Sequence, residues 1–200
     1  MSPLHTLDYE PDDLSVKISE LLVATSDEAD TAIDDSVPEV LRLLRDKMQM
    51  DVVFVSEFTD GQRVMRHVAA TPGGGKVVAQ GDSAPLEQSW CQQVVDGRMP
   101  QYIHNAATHP ASAALAAQLP FPVGTHISTP IVLKGGEVYG TLCAFSFHAV
   151  DQSNAADVKK LQFTAQLTAQ KIDKQRAQAL VQPPEPELTL APLNPADRRK

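Results

Sequence analysis

Residues 128–147, STPIVLKGGEVYGTLCAFSF, have the pattern of a β-hairpin. Two runs rich in β-branched and aromatic residues flank Lys134-Gly135-Gly136-Glu137, which has the composition of a turn between antiparallel strands. Extended back to His126, the first run reads HISTPIVL; Pro130 withholds an N–H there, which calls for a bulge or a sheet edge. In the second run Tyr139, Thr141, Cys143 and Phe145 share one face, with Leu142 and Ala144 on the other.

Upstream, DVVFVSEF (51–58) is β-branched and aromatic, and Thr59-Asp60-Gly61-Gln62 reads as a hairpin turn. Residues 63–70 continue as a strand in which Val64, Arg66 and Val68 alternate with Met65, His67 and Ala69. Before this hairpin, Ser36-Val37-Pro38-Glu39 has the pattern of a capping box, and Val37, Val40, Leu41, Leu44 and Met48 form the stripe of the helix that follows. Leu14, Ile18, Leu21 and Leu22 share a face of a shorter helix over 12–24. After TPGGGK breaks the sheet, Leu86, Trp90 and Val94 are spaced as in a helix running from Ser83 or Ala84 to Asp96, stopped by Gly97. A short strand at Tyr102-Ile103-His104 and an alanine-rich helix over 110–118 come next.

Residues 157–180 read as a long helix in which Val158, Leu161, Ala165, Thr168, Ile172 and Ala179 alternate three and four apart, like a heptad seam; Phe163 and Leu167 lie on a second face. The expected architecture is α+β: a central antiparallel sheet flanked by helices, with a long C-terminal helix and a disordered proline-rich tail. The division expected is an N-terminal helix and acidic loop over 1–35, one domain with its terminal helix over 36–180, and the tail over 181–200.

Two hundred residues suit one domain with a proper core. A net charge of -8 without a Lys/Arg patch excludes the phosphate contacts of nucleic-acid binding. Cys91 and Cys143 are too few for a disulfide framework and lack zinc-type spacing. The acidic start MSPLHTLDYEPDD has no signal pattern, and no apolar run approaches the roughly 20 residues that cross a bilayer. The expectation is a soluble, reduced, cytoplasmic protein with no membrane partner.

Over residues 37–172 the element order and three local sequences resemble the GAF domain, a family of sensory modules in signalling proteins. The three are VVFVSEF with RVMRHVAA, then SWCQQVVDGRMPQYIHNAATHPA (89–111), then the closing pair quoted first. The middle one is similar to its counterpart in bacterial histidine kinases and cyclic-diguanylate enzymes, so the resemblance implies two-component or cyclic-di-GMP signalling. The Asn-Lys-Phe…Asp pattern of cyclic-nucleotide members is missing, as is the adjacent Cys-His pair of bilin-binding members: Gln92 follows Cys91 and Ala144 follows Cys143. The cysteine set of the GAF-type methionine sulfoxide reductases is not reproduced. The resemblance therefore implies a free-standing sensor or regulator that is not an enzyme and acts through a downstream signalling protein. The alternative is a cysteine-dependent redox enzyme or redox sensor of the methionine sulfoxide reductase type. The resemblance also implies homodimerisation through the terminal helices.

In such folds the pocket lies between the sheet and the helix-loop region, here 73–119. The resemblance implies a lining of Phe54, Trp90, Cys91, Val94, Tyr102, His126, Ser128, Thr141, Cys143 and Phe145, enclosing an unidentified small organic ligand. Cys91 reads as a small apolar wall residue, because a reactive thiol needs a cation or a helix N-terminus and the sequence assigns it neither. Cys143 reads as a core thiol; the two approaching one cavity from opposite walls would permit a switchable disulfide. His126 is the candidate for a polar ligand contact or a haem ligand. No cofactor is assigned.

Overall fold

The computed structural model describes residues 13–24 and 32–181. Most of the acidic loop and the proline-rich tail lie outside the described residues. Strands β1 (Val52–Thr59) and β2 (Gln62–Ala70) form the first hairpin. Thr59 pairs with Gln62, so Asp60 and Gly61 alone make the turn, with φ of 51° and 70°. A two-residue turn of this hand matches the strand twist and requires positive φ at both central positions, which aspartate tolerates and glycine adopts freely.

Strand β3 (Ser83–Pro85) flanks β2, and β4 (Tyr102–Ile103) precedes the hairpin of β5 (His126–Val132) and β6 (Val138–Phe145). The sheet order is β3-β2-β1-β6-β5-β4, so the two hairpins meet at the β1–β6 pair in the centre. Gly140 makes that junction possible: a Cβ there would stand 1.9 Å from the Ser56 carbonyl oxygen. Asp51 ties the ends together, its Oδ2 accepting the Phe147 N–H at 2.8 Å and its Oδ1 the Thr71 hydroxyl at 3.2 Å.

Strand alternation gives the sheet two unlike faces. On one, Val53, Val55, Ile127, Ile131, Leu142 and Ala144 pack against α1 (Asp13–Ala24), α2 (Ala32–Met48) and α5 (Asp157–Val181). This core is aliphatic, and the stripes read from the sequence supply it: Leu14, Ile18 and Leu22; Val40, Leu41 and Leu44; Leu161 and Ala165. Phe163 and Leu167 of α5 also pack against it, half-buried. On the other face Val52, Phe54, Met65, Cys143 and Phe145 meet α3 (Trp90–Val95) and the long connections around it.

Three local expectations change. Helix α2 begins at Ala32, so Ser36 does not cap it; Ser36 Oγ instead accepts from Lys171 Nζ of α5, and Pro38 sits inside the helix. The helix expected from Ser83 or Ala84 to Asp96 divides into β3, a single 3-10 turn at Leu86–Gln88, and α3. Cross-strand pairing of Ser83, Ala84 and Pro85 with β2, and the bond from Leu86 N–H to Gly61 O, hold that segment extended. Ser89 then takes φ -81°, ψ 144° and caps α3, its Oγ accepting the Gln92 N–H. The alanine-rich helix contracts to α4 (Ala113–Ala116), since alanine alone does not offset the cost of nucleating so short a helix.

Candidate functional site

Between α3 and the sheet lies a cavity of about 210 Å³. The sheet contributes Phe54 of β1, Arg63 and Met65 of β2, His126 of β5 and Phe145 of β6. Trp90 and Cys91 of α3 cover it, while Val77, Val78, Asp82, Leu119, Phe121 and Val123 close the sides. Phe121 stacks on Phe145 with centroids 5.9 Å apart, and Trp90 meets His126 edge-on at 5.1 Å. Gly97, at φ 72°, ends α3 as the sequence indicated, so the cover is one short helix fixed at both ends.

Behind the cover the polar residues of three strands fall in register. β1 places Phe54 opposite Cys143 and Ser56 opposite Thr141; β5 places Ser128 opposite Cys143. Cys143 Sγ therefore lies 2.9 Å from Ser128 Oγ and 3.2 Å from Thr141 Oγ1, and Thr141 Oγ1 is 2.9 Å from Ser56 Oγ. Cys91 Sγ reaches down to 3.5 Å from Cys143 Sγ, and Arg63 Nη1 stands 3.9 Å from Cys91 Sγ. Both thiols are free and buried.

The pair is electrically unequal. A hydrogen bond from Cys143, reinforced by the charge of Arg63, outweighs burial and lowers Cys91 to about 6. Burial, then the neighbouring Cys91, pushes Cys143 well above the ordinary thiol value. Of the two thiols, Cys91 is the one held low, and it is the one beside Arg63 and on the cavity wall. His126 is lowered to about 4 by burial, so its imidazole is neutral at pH 7.

Of the residues expected at the site, Phe54, Trp90, Cys91, His126 and Phe145 line the cavity. Ser128, Thr141 and Cys143 form the hydrogen-bonded layer behind Cys91, and Val94 is buried beside it on α3. Tyr102 points to the opposite face: it packs against the helical core, and its hydroxyl donates to Ser153 O at 2.8 Å. The expectation that Cys91 lies deep in its helix without a cation is corrected, for it is the second residue of α3 and Arg63 faces it.

Arg63 reaches the cavity, against the simple alternation of its strand, through a bulge. Val55 pairs with His67 but Ser56 pairs with Met65, leaving Arg66 unmatched. The extra residue inverts the alternation, so Met65 and Arg63 face the cavity while His67 and Ala69 face the helices. A strict period of two puts all four on one side.

The GAF domain family model matches residues 30–173. Among curated proteins no sequence matches this chain. The fold is similar to the GAF domain of an Acinetobacter phosphoenolpyruvate-protein phosphotransferase, at 17% identity and a TM-score of 0.60 over 84% of this chain and 97% of that one. It is also similar to the phycocyanobilin-bound GAF domain of a cyanobacterial phytochrome, at 11% identity and a TM-score of 0.65 over 84% and 98%. A third similar structure is the free methionine-R-sulfoxide reductase of Neisseria meningitidis in complex with its substrate, at 16% identity and a TM-score of 0.59 over 88% and 99%.

That third likeness corrects the expectation that the protein is not an enzyme, since an enzyme shares this fold along nearly the whole chain. The fold supports a sensory or regulatory role and is equally compatible with catalysis. With the family model spanning most of its length and the sheet, cover helix and terminal helix in place, the chain belongs to the GAF domain family.

Proposed function

We propose that this GAF domain senses a small organic molecule held under α3 and passes its occupancy to a partner protein. The observation that carries the reading is the cavity itself, whose aromatic and aliphatic walls enclose a few converging polar groups. Ligand binding shifts the cover and the flanking helices only by as much as the two arrangements differ in affinity. Native mass spectrometry of protein purified from its source is the test: a retained small molecule supports the reading, and its loss on Val123→Trp locates it. A spectrum with only bare protein, unchanged on adding cell metabolites, removes it.

The relay we propose is α5, paired with a second copy through the terminal helices. Val16 and Val23 of α1 are exposed, as is Leu180 near the end of α5, which leaves apolar surface on the helical side. Light scattering that gives a monomer mass at every concentration would end that part of the proposal. No helix among the described residues is long and apolar enough to cross a membrane, which suits a cytoplasmic setting. The choice of two-component or cyclic-di-GMP signalling rests on the resemblance of residues 89–111.

A second reading is favoured by one observation, the 3.5 Å contact of Cys91 and Cys143. A thiolate at Cys91 attacks the sulfur of a bound sulfoxide while the sulfoxide oxygen takes a proton from solvent; that oxygen passes to Cys91 as a sulfenic acid and the sulfide is released. The Cys143 thiol then condenses with that sulfenic acid, expelling water and leaving a disulfide that an external dithiol reduces. The assay is reduction of free methionine sulfoxide by the parent protein and by Cys91→Ser and Cys143→Ser. Turnover that both variants retain, or a parent without turnover, eliminates this chemistry.

A further inference from the structure

Two buried polar atoms have no hydrogen-bond partner among the described residues, Arg63 Nε and His126 Nδ1. Both residues line the cavity under α3, and His126 is only 5% exposed. A buried polar atom left unmet carries its full desolvation cost, so two on residues that line one cavity mark a place where a ligand completes the bonding. Arg63 is the one cation in the lining, and no ion pair with a carboxylate found among the described residues uses it. Asp82, the one acidic lining residue, is exposed, and its Oδ2 is taken by the Ala79 N–H at 2.8 Å. The remaining walls, with Phe54, Met65, Val78, Phe121 and Phe145, are apolar.

We propose that the cavity binds a small apolar carboxylate, its carboxylate seated on the Arg63 guanidinium and its hydrocarbon body against Phe121 and Phe145. The inference rests on the ligand-pocket reading and names the chemistry of that pocket's occupant. A guanidinium presents its N–H groups as a fork that matches carboxylate geometry, and two such bonds fix both position and sign of charge. His126, neutral, offers one hydrogen bond without adding charge. The volume, that of about seven water molecules, limits the ligand to metabolite size.

The same guanidinium faces Cys91 Sγ, so the ligand and the Cys91 thiolate compete for one cation. The titratable groups around that thiol are Arg63 from β2, Cys143 from β6, His126 from β5 and Asp82 ahead of β3. Of these only Arg63 is positively charged at pH 7. Linkage is reciprocal: whatever a bound carboxylate costs the thiolate, the thiolate costs the carboxylate.

The experiment compares 4-methylpentanoate with 4-methylpentanamide, equal in shape and different in charge, by isothermal titration calorimetry on the whole chain. The acid is expected to bind roughly tenfold tighter than the amide. Arg63→Gln is expected to bring the two within about twofold, and Arg63→Lys to recover part of the gap while reporting on folding. In parallel, thiolate absorbance at 240 nm should move to higher pH with the acid bound and stay put with the amide. Equal binding of acid and amide, an unaltered preference in Arg63→Gln, or no binding of the acid overturns the inference. Retention of an uncharged occupant in native mass spectrometry also overturns it, yet leaves the ligand-pocket reading standing.

Discussion

The two faces of the sheet are built on opposite principles. Against α1, α2 and α5 the contacts are mainly aliphatic, with Leu44, Leu142 and Leu161 fully buried. Between α3 and the sheet are buried two thiols, three hydroxyls from Ser56, Ser128 and Thr141, an imidazole and part of a guanidinium, next to a cavity. The first face does what close packing does: it stabilises the domain by removing apolar surface from water. The second leaves buried polar atoms unmet and space unfilled, both of which cost stability. A fold that bears those costs on one side of a sheet separates the work of holding together from the work of binding.

The largest expected effect lies on the helical face. Leu161→Ala should lower unfolding free energy by about 3 kcal/mol in urea denaturation. A loss under about 1 kcal/mol would mean that this face is not the tightly packed one.

The next is on the cavity face and depends on pH. His126 is held to about 4 in the folded chain, against the ordinary 6.5 expected unfolded. The unfolded chain therefore binds the extra proton first as pH falls, and stability is lost progressively from about pH 6.5 down to about 4. Between pH 7 and 4.5 the parent should lose about 2 kcal/mol more than His126→Phe, which has no proton to bind. Parallel stability profiles for the two proteins would show that the imidazole is not buried as described.

Smaller again is the thiol asymmetry. Cys143→Ala removes the hydrogen bond that chiefly lowers Cys91, so iodoacetamide should label Cys91 at pH 6 roughly tenfold more slowly than in the parent. Faster labelling would put the reactive thiol under steric rather than electrostatic control.

At the solvent end of the same helix, Asp96 pairs with Arg98 at 2.6 Å, with side chains 37% and 54% exposed. Asp96→Asn should change stability by less than about 0.5 kcal/mol, because water screens such a pair. A larger loss would extend the demanding environment of the cavity out to its rim.

Much of the helical face was legible in the sequence. The stripe of Val40, Leu41 and Leu44 and the paired turns at Asp60-Gly61 and Gly135-Gly136 are local signals, each decided by a few neighbouring residues. Far less of the cavity face was legible. Leu86, Trp90 and Val94 suggested one long helix, yet pairing of residues 83–85 with β2 leaves only six residues helical. That single change puts Cys91 at the beginning of its helix rather than in the middle. The resemblance put Tyr102 in the lining, but its register turns the ring toward the opposite core.

Most strands and helices, the hairpin turns and the apolar stripes follow from periodicity and turn chemistry, which act between residues close along the chain; β3, hidden inside a helical spacing, does not. That Arg63 faces the cavity and that Cys91 meets Cys143, 52 residues away, is set by folding at long range. The physical reason is that facing depends on strand register and on the bulge at Arg66, and both are set by hydrogen bonds between strands rather than by neighbours in sequence.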